Sequence, residues 1–249
     1  MAVSQPIADQ APNLQIKSKQ RVEDHGEVFT GHREVNAMLD LVKQETERIE
    51  SRFLEPACGT GNFLAEILRR KLDVVDSRYK SSQLEWERNA VLAVSSIYGI
   101  DILEDNVTAC IDRLTGMVSA RYRERFKSKS RDKCIEAVLF VLRRNILWGD
   151  ALSLKTVGPA PGPIVFSEWS PVNGSLFKRR DFAFHELVEG GAKSEALGPK
   201  QPGLFGEDQD SLFNRPAEPL SSDGGSSVFI PTPLREFPLV HFLELADAG

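Results

Sequence analysis

The stretch Glu55-Pro56-Ala57-Cys58-Gly59-Thr60-Gly61-Asn62-Phe63 predicts how this chain folds. A short segment, Arg52-Phe53-Leu54, precedes it, and an amphipathic run from Leu64 to Leu72 follows it. This order is typical of a strand, a glycine turn and a helix, with Asn62 as the N-cap. Glycines let backbone N–H groups approach a ligand closely, and the amino end of the helix adds partial positive charge. The stretch therefore predicts a site for a nucleotide-like ligand.

Two later segments also read as short strands that end near an acid. Residues 96–102 are rich in β-branched side chains and contain Asp101, and residues 145–148 are followed closely by Asp150. Helical periodicity separates these strands from one another. This order predicts an α/β fold with a doubly wound parallel sheet, in which ligands bind at the carboxyl ends of the strands. Together with Glu55, the two aspartates fall at that edge.

The three acids have two interpretations. In the simpler one, each carboxylate caps the helix that follows it, and for a single acid this interpretation is favoured. Three acids after successive strands, with a glycine turn after the first, favour a ligand site. In that site Asp101 accepts hydrogen bonds from the hydroxyls of a ribose, and Asp150 accepts one from an adenine amine. Glu55 and the turn face an amino-acid end of the ligand.

The order of these motifs resembles the amino-group DNA methyltransferases, the N6-adenine class of restriction–modification systems. The stretch from Glu55 to Phe63 resembles their motif I, and His25-Gly26-Glu27-Val28-Phe29-Thr30 resembles motif X. Tyr98 to Ile102 resembles motif II, and Gly149 to Leu152 resembles motif III. The resemblance covers about residues 21–155. It implies a Rossmann-like methyltransferase fold, S-adenosylmethionine as cofactor and DNA as partner.

The resemblance also implies which residues contact the cofactor. Thr30 and the glycine turn would contact the methionine part, Asp101 the ribose, and Ile102 the adenine. The predicted cofactor-binding residues are Thr30, Glu55, Pro56, Ala57, Cys58, Gly59, Gly61, Asn62, Asp101, Ile102, Asp150 and Ala151. Cys58 is expected to be a small residue of the turn and not a nucleophile. The chain has no Pro-Cys pair, which argues against the covalent cytosine-C5 mechanism, and no metal is expected.

The chain departs from the family at the catalytic motif, an Asn/Asp/Ser-Pro-Pro-aromatic tetrad. That tetrad accepts the N–H bonds of an adenine flipped out of the duplex, and its aromatic residue stacks on the base. After the predicted strand at 164–166, this chain instead reads Ser167-Glu168-Trp169-Ser170-Pro171-Val172. One polar–proline step remains, and the tryptophan either stacks on a base or belongs to the core. The candidates for catalysis are therefore Trp169, Ser170 and Pro171.

These observations predict an adenine-specific DNA methyltransferase, or its methylase subunit, with a specificity or nuclease subunit as a further partner. Two other functions stay open. The first is a methyltransferase-fold subunit that binds cofactor, DNA or a partner without transferring a methyl group. The second is a methyltransferase that acts on RNA, protein or a small molecule, because the fold and motif I alone do not fix the substrate.

Composition bounds the class of protein. The chain has 249 residues, of which 41 % are hydrophobic and 27 % charged, as in an ordinary globular domain. No apolar run suits a membrane span or a secretory signal, and the three cysteines lack CxxC spacing, so we expect a cytoplasmic location. The predicted organisation is an arm at 1–20, a methyltransferase-like domain at 21–190, and a largely irregular, acidic Gly/Pro/Ser-rich tail at 191–249 with a docking segment at 237–245.

Residues 113–144 form a strongly basic segment. Clustered lysines and arginines attract the phosphates of nucleic acids, so the segment is one candidate for DNA contact. For a charge run alone, a solvated helix face is the favoured interpretation. Within the segment, residues 121–133 are expected to form an exposed connection between elements.

Overall fold

The computed structural model describes residues 18–25, 27–188, 220–221, 227–228 and 231–248. The predicted arm and tail therefore lie largely outside the described residues. The helices are α1 (Lys19–His25), α2 (His32–Asp40), α3 (Lys43–Thr46), α4 (Asn62–Arg78), α5 (Gln83–Ser95), α6 (Glu104–Phe126) and α7 (Asp132–Asn145). The strands are β1 (Phe53–Glu55), β2 (Ile97–Asp101), β3 (Ile146–Asp150), β4 (Lys155–Thr156), β5 (Val165–Pro171), β6 (Leu176–Ala183), β7 (Leu220–Ser221), β8 (Ser227–Val228), β9 (Arg235–Glu236) and β10 (Val240–His241).

The first sheet is mostly parallel, in the order β1-β2-β3-β4. Strands β1, β2 and β3 run parallel, with Leu54 opposite Tyr98 and Asp101 opposite Trp148, and β4 pairs with β3 in the antiparallel direction. Two helices connect each parallel pair, α4 and α5 before β2, and α6 and α7 before β3. The coarser prediction of an α/β fold with a mostly parallel sheet flanked by helices is thus confirmed. The doubly wound, Rossmann-like methyltransferase arrangement stays a prediction. The carboxyl ends of β1, β2 and β3 share one edge, as parallel strands require.

Strand β2 is buried on both faces, which is typical of a central parallel strand. Ile97 packs into the main core with the buried faces of α4, α5, α6 and α7. The alternate residues Tyr98 and Ile100 belong to a second cluster, with Ile164 and Phe166. The four long helices therefore cover one face of the sheet, and residues of the second sheet cover the other.

The second sheet is antiparallel and has the order β10-β6-β5, with β9 also paired to β6. Strands β5 and β6 form a long hairpin, in which Trp169 lies opposite Arg179. After β10, a 3₁₀ turn at Phe242–Glu244 places Phe242 and Leu245 in the main core. Residues 240–245 thus form a short strand and a helical turn that pack against the core.

Two helices extend beyond the ends that the sequence predicts. α4 continues past Leu72 because Val75, on the same stripe, is fully buried. α6 continues into the predicted connection because Tyr122 is fully buried and stacks on Trp86, with ring centroids 5.3 Å apart. Burial one turn beyond the predicted ends therefore extends both helices. None of the described helices combines the length and the apolar composition needed to cross a membrane.

Candidate functional site

The glycine turn between β1 and α4 has a conformation that requires glycine. Gly59 and Gly61 have φ values of 52° and 82°, in the left-handed region that L side chains rarely adopt. A Cβ on Gly61 would lie 2.6 Å from Cys110 Sγ, so a side chain there would displace α6. Gly61 is also the N-cap of α4. The prediction that Asn62 is the N-cap is therefore wrong, and Asn62 is the first residue of the helix.

Asn62 joins the turn to the amino-terminal wall, which we define as residues 27–30. Its Nδ2 donates to the carbonyl oxygen of Thr30 at 3.0 Å, and its Oδ1 accepts from Arg113 Nη1 at 2.8 Å. Because both ends of the amide are engaged by other segments, the side chain does not cap its own helix. The contact fixes the amino-terminal wall against the glycine turn.

A cavity of about 520 Å³ lies between the amino-terminal wall, the glycine turn and the carboxyl ends of β1, β2 and β3. Every predicted cofactor-binding residue except Gly61 lines this cavity, namely Thr30, Glu55, Pro56, Ala57, Cys58, Gly59, Asn62, Asp101, Ile102, Asp150 and Ala151. Gly61 lies behind the turn, against Cys110. The structure thus brings the predicted residues together at one place, and their contact with a cofactor stays a prediction.

Glu27, Phe29 and Asn106 are among the cavity-lining residues that the sequence interpretation missed. Glu27 and Phe29 lie in the stretch that resembles motif X, where only Thr30 was singled out. A Cβ on Gly59 would lie 3.1 Å from the Phe29 ring, which shows how closely the amino-terminal wall covers the turn. Asn106 lies in the first turn of α6, and no local pattern in the sequence marks it.

Asp101 at the end of β2 is held by three donors. Its Oδ2 accepts from Gly59 N at 2.7 Å, and its Oδ1 accepts from Leu103 N at 2.9 Å and from Asn106 Nδ2 at 3.2 Å. The carboxylate is therefore partly a structural clamp between the glycine turn and the start of α6. A carboxylate offers about four lone-pair directions, so about one remains for a ligand.

Glu55 at the end of β1 is half-buried and faces the same cavity. Burial raises the pKa of Glu55, and a hydrogen bond from the Ala57 backbone opposes this effect only in part. Among the described residues, no lysine, arginine or histidine forms an ion pair with Glu55. A cationic group placed in the cavity would stabilise the ionised form of such a half-buried carboxylate.

Asp150 at the end of β3 closes the turn that follows it. Its Oδ1 accepts from Leu152 N at 2.9 Å and its Oδ2 from Ser153 N at 3.3 Å. Hydrogen bonds from Ser153 and Leu152 lower the pKa of Asp150, so the group stays ionised. This local turn corresponds to the simpler interpretation of the acid, and the side chain also lines the cavity.

Cys58 lies at the inner wall of the cavity and is buried. The neighbouring Cys110 thiol and the burial together raise the pKa of Cys58 well above its usual range. A thiol that stays protonated is a poor nucleophile, in line with the expected role as a small residue of the turn. In the part of the chain that the structure describes, no group of histidine, cysteine and acidic side chains is arranged to hold a metal ion.

The structure does not bring the three predicted catalytic candidates to the cavity: Trp169, Ser170 and Pro171. The strand predicted at 164–166 runs on through all three residues as β5, because β6 pairs with it along its whole length. Trp169 is only 4 % exposed, and its Nε1 donates to Asn145 Oδ1 at 3.0 Å. Asn145 directly precedes β3, so this contact lies at the opposite end of the sheet from the cavity. Trp169 is a core residue here.

Some arginines of the basic segment at 113–144 form ion pairs with neighbouring helices. Arg121 pairs with Asp73 and Asp76 of α4, and Arg131 pairs with Glu87 of α5. These ion pairs hold the helices of the layer together. They place these two arginines in contacts within the helix layer, and the choice between a solvated helix face and a DNA contact stays a prediction.

Comparisons of the chain with protein-family models, with curated proteins and with solved structures find no significant match.

Proposed function

We propose that the cavity binds S-adenosylmethionine and that the protein is a methyltransferase, or a methylase subunit, directed to adenine N6 in DNA. The observation that carries the proposal is the meeting of Glu55, Asp101 and the glycine turn on one cavity, with Asp150 on the same edge. Glu55, Asp101 and Asp150 are far apart in the sequence, and the motif resemblance points to each of them from its own local motif. The cavity volume is within the usual range for cofactor sites.

Each end of the cavity suits one part of the proposed cofactor. Glu55 has no basic partner among the described residues and would take the ammonium group of the methionine. The amino end of α4 and the glycine turn would face its carboxylate, because unpaired N–H groups there attract anions. Asp101 would accept from the ribose, and the side chains of Ile102 and Ala151 would pack on the adenine.

When bound, S-adenosylmethionine supplies a methyl group activated by the positive charge on sulfur. The residues of this chain bind and orient the donor, and the amino-terminal wall limits access of water. The preference for adenine in DNA rests on the resemblance of the motifs. The three candidates for catalysis, Trp169, Ser170 and Pro171, are not among the described residues that line the cavity.

That last observation favours a second candidate function. If Trp169, Ser170 and Pro171 stay in β5, the chain binds the cofactor without its own acceptor site. It would then act as a cofactor-binding subunit, with methyl transfer absent or completed by a partner.

One experiment separates these functions. The purified protein is incubated with S-adenosylmethionine labelled in the methyl group and with DNA that lacks methylated adenine. Binding is measured by calorimetry, and N6-methyladenine is measured after digestion of the DNA. DNA already methylated at adenine N6 is the control substrate, and the Asp101→Ala variant is the control protein.

Binding with transfer supports the methyltransferase. Binding without transfer supports the second candidate. Absence of binding by the wild type overturns the cofactor proposal, and unchanged binding by Asp101→Ala overturns the assignment of the site.

A further inference from the structure

We propose that Asn106 is a positioning residue, which orients Asp101 toward a single hydroxyl group of the bound ribose. Arg21 and Glu27 support Asn106 from behind, so the amino-terminal segment takes part in ligand recognition. This inference rests on the proposed cofactor and adds residues and a specificity that the motif resemblance does not assign.

The geometry of Asn106 carries the proposal. The residue is 1 % exposed. Its Nδ2 donates to Asp101 Oδ1 at 3.2 Å and to Glu27 Oε1 at 2.7 Å, and its Oδ1 accepts from Arg21 Nη2 at 3.3 Å. One amide group therefore joins two cavity-lining carboxylates, those of Asp101 and Glu27.

Arg21 of α1 fixes the other end of this arrangement. Its Nε and Nη2 donate to the two carboxylate oxygens of Glu27, at 2.5 and 2.9 Å, and its Nη1 donates to Asp105 Oδ2 at 2.8 Å. Such a two-point contact restricts both the position and the plane of the Glu27 carboxylate. A continuous series of hydrogen bonds thus runs from α1 through Glu27 and Asn106 to Asp101.

The series determines what Asp101 can offer a ligand. The donors on Asp101 come from Gly59, Leu103 and Asn106, which leaves about one lone-pair direction toward the cavity. The sequence predicts that Asp101 accepts from both ribose hydroxyls, whereas this geometry provides for one. Loss of the Asn106 donor frees a direction and removes the constraint on the carboxylate plane. The selectivity for that hydroxyl should then fall.

The test compares ligands on the full-length protein by calorimetry. The probes are S-adenosylmethionine and its analogues that lack the 2′ or the 3′ hydroxyl of the ribose. For the wild type, one deoxy analogue should bind about tenfold or more weakly, since a hydrogen bond to a carboxylate is lost, and the other should bind nearly as well as the parent. We define the ratio as the dissociation constant of the weaker deoxy analogue divided by that of S-adenosylmethionine. In Asn106→Leu this ratio should fall to about twofold.

A matched control comes from a buried asparagine outside the site. Asn89 in α5 is 5 % exposed, and its Nδ2 donates to the carbonyl oxygen of Glu85 at 2.8 Å. Asn89→Leu should reduce stability without changing the ratio, because a smaller folded fraction weakens all ligands equally. Arg21→Met, which acts one step further from the cavity, should lower the ratio partially.

The outcomes separate this inference from the proposed function. If the wild type binds no S-adenosylmethionine, the proposed function fails. If it binds but the ratio is unchanged in Asn106→Leu, the positioning role is wrong and the proposed function stands. If Asn106→Leu does not fold, Arg21→Met decides, and an unchanged ratio in that variant overturns the inference.

Discussion

The two ends of the parallel sheet differ in how their polar groups are satisfied. At the amino end, Lys71 is fully buried, and its Nζ donates to three carbonyl oxygens and to Ser96 Oγ. Asn145 at the same end donates to two carbonyl oxygens and accepts from Trp169. At the carboxyl end, Glu55 has no basic partner among the described residues, and Asp101 keeps about one free direction.

This difference indicates which end is scaffold and which end binds. Buried polar groups that satisfy one another specify a structure, and they leave nothing to offer a ligand. Polar groups that face a cavity and can accept further hydrogen bonds form those bonds only when a ligand binds. We therefore expect substitutions of these polar groups at the amino end to change stability, and substitutions of these polar groups at the carboxyl end to change ligand binding.

The largest effect is expected for Lys71→Met at the amino end. Removing the ammonium group leaves buried carbonyl oxygens unpaired, which should lower the free energy of unfolding by about 4 kcal/mol. Urea unfolding measures this change, and Lys43→Met, at an exposed lysine paired with Glu47, is the matched control. The affinity of the folded fraction for S-adenosylmethionine should not change. A selective loss of affinity would contradict the assignment of this end to the scaffold.

The same lysine should give the protein a characteristic pH dependence. Burial lowers the pKa of Lys71 to about 7, so between about pH 7 and about pH 10 the folded chain binds fewer protons than the unfolded chain. The wild type should therefore become more stable relative to Lys71→Met as the pH rises through this range. Parallel stability curves for the two proteins would show that Lys71 titrates normally in the folded chain.

At the carboxyl end, Gly61→Ala should cost about 3 kcal/mol of stability. The left-handed backbone disfavours alanine, and the new Cβ would crowd Cys110. Gly116→Ala in α6 is the control, because nothing lies within 4 Å of the added Cβ and the helix should gain up to about 1 kcal/mol. Chemical unfolding measures the free energy of unfolding of both variants. Equal effects would mean that the turn is not constrained as described.

Glu55→Gln should reduce S-adenosylmethionine affinity by about 2 kcal/mol, roughly thirtyfold, because a charge-assisted hydrogen bond to the ammonium group is lost. The free energy of unfolding should change little, and it should rise slightly. Burial raises the pKa of Glu55, so its ionisation above the unfolded-state pKa costs stability, and glutamine removes that cost. The two proteins should converge in stability at low pH.

Calorimetry measures the affinity of Glu55→Gln, with Glu104→Gln as a control at an exposed acid near the cavity. In the wild type, binding should strengthen as the pH rises and Glu55 ionises. Binding that is unaffected by Glu55→Gln would remove the main distinction between the two ends of the sheet.

The smallest effect is expected for Trp169→Phe, at about 1 kcal/mol of stability. The variant leaves Asn145 Oδ1 without its indole donor, and it keeps most of the apolar contact. Ligand binding and any methyl transfer should be unchanged. The matched variant at the other end is Trp148→Phe, which removes the bond from Trp148 Nε1 to the Ile102 carbonyl oxygen at 3.0 Å and should weaken binding. Loss of transfer in Trp169→Phe alone would place the acceptor site in β5.

The sequence predicts the carboxyl end well because its signals are local. A glycine turn after a strand and an acid at a strand end are set by neighbouring residues, and the parallel order brings them to one edge. Glu55, Asp101 and the glycine turn can therefore be recognised without knowledge of distant partners, whereas Asn106 cannot. Its contact with Arg21 spans 85 residues, and no periodic pattern encodes it.

The amino end of the sheet is poorly predicted because its structure depends on contacts between residues that are distant in the sequence. The length of β5 depends on its pairing with β6, so Trp169 cannot be assigned to strand or loop from residues 164–171 alone. The break at Leu41 and Val42, which separates α2 from α3, has no explanation in the contacts of these two exposed residues. The extension of α4 past Val75 and of α6 past Tyr122 depends on the burial of these two residues against other helices.

The position of the cavity walls along the chain has a consequence for synthesis. Every lining residue lies between Glu27 and Leu152, so all of them are translated before β5 begins at Val165. Strands β1, β2 and β3 are neighbours in the sheet in the order in which they are made, and each new strand joins the one before it. All residues of the ligand-binding edge are thus synthesised before Trp169, Phe177 and Phe242 of the core.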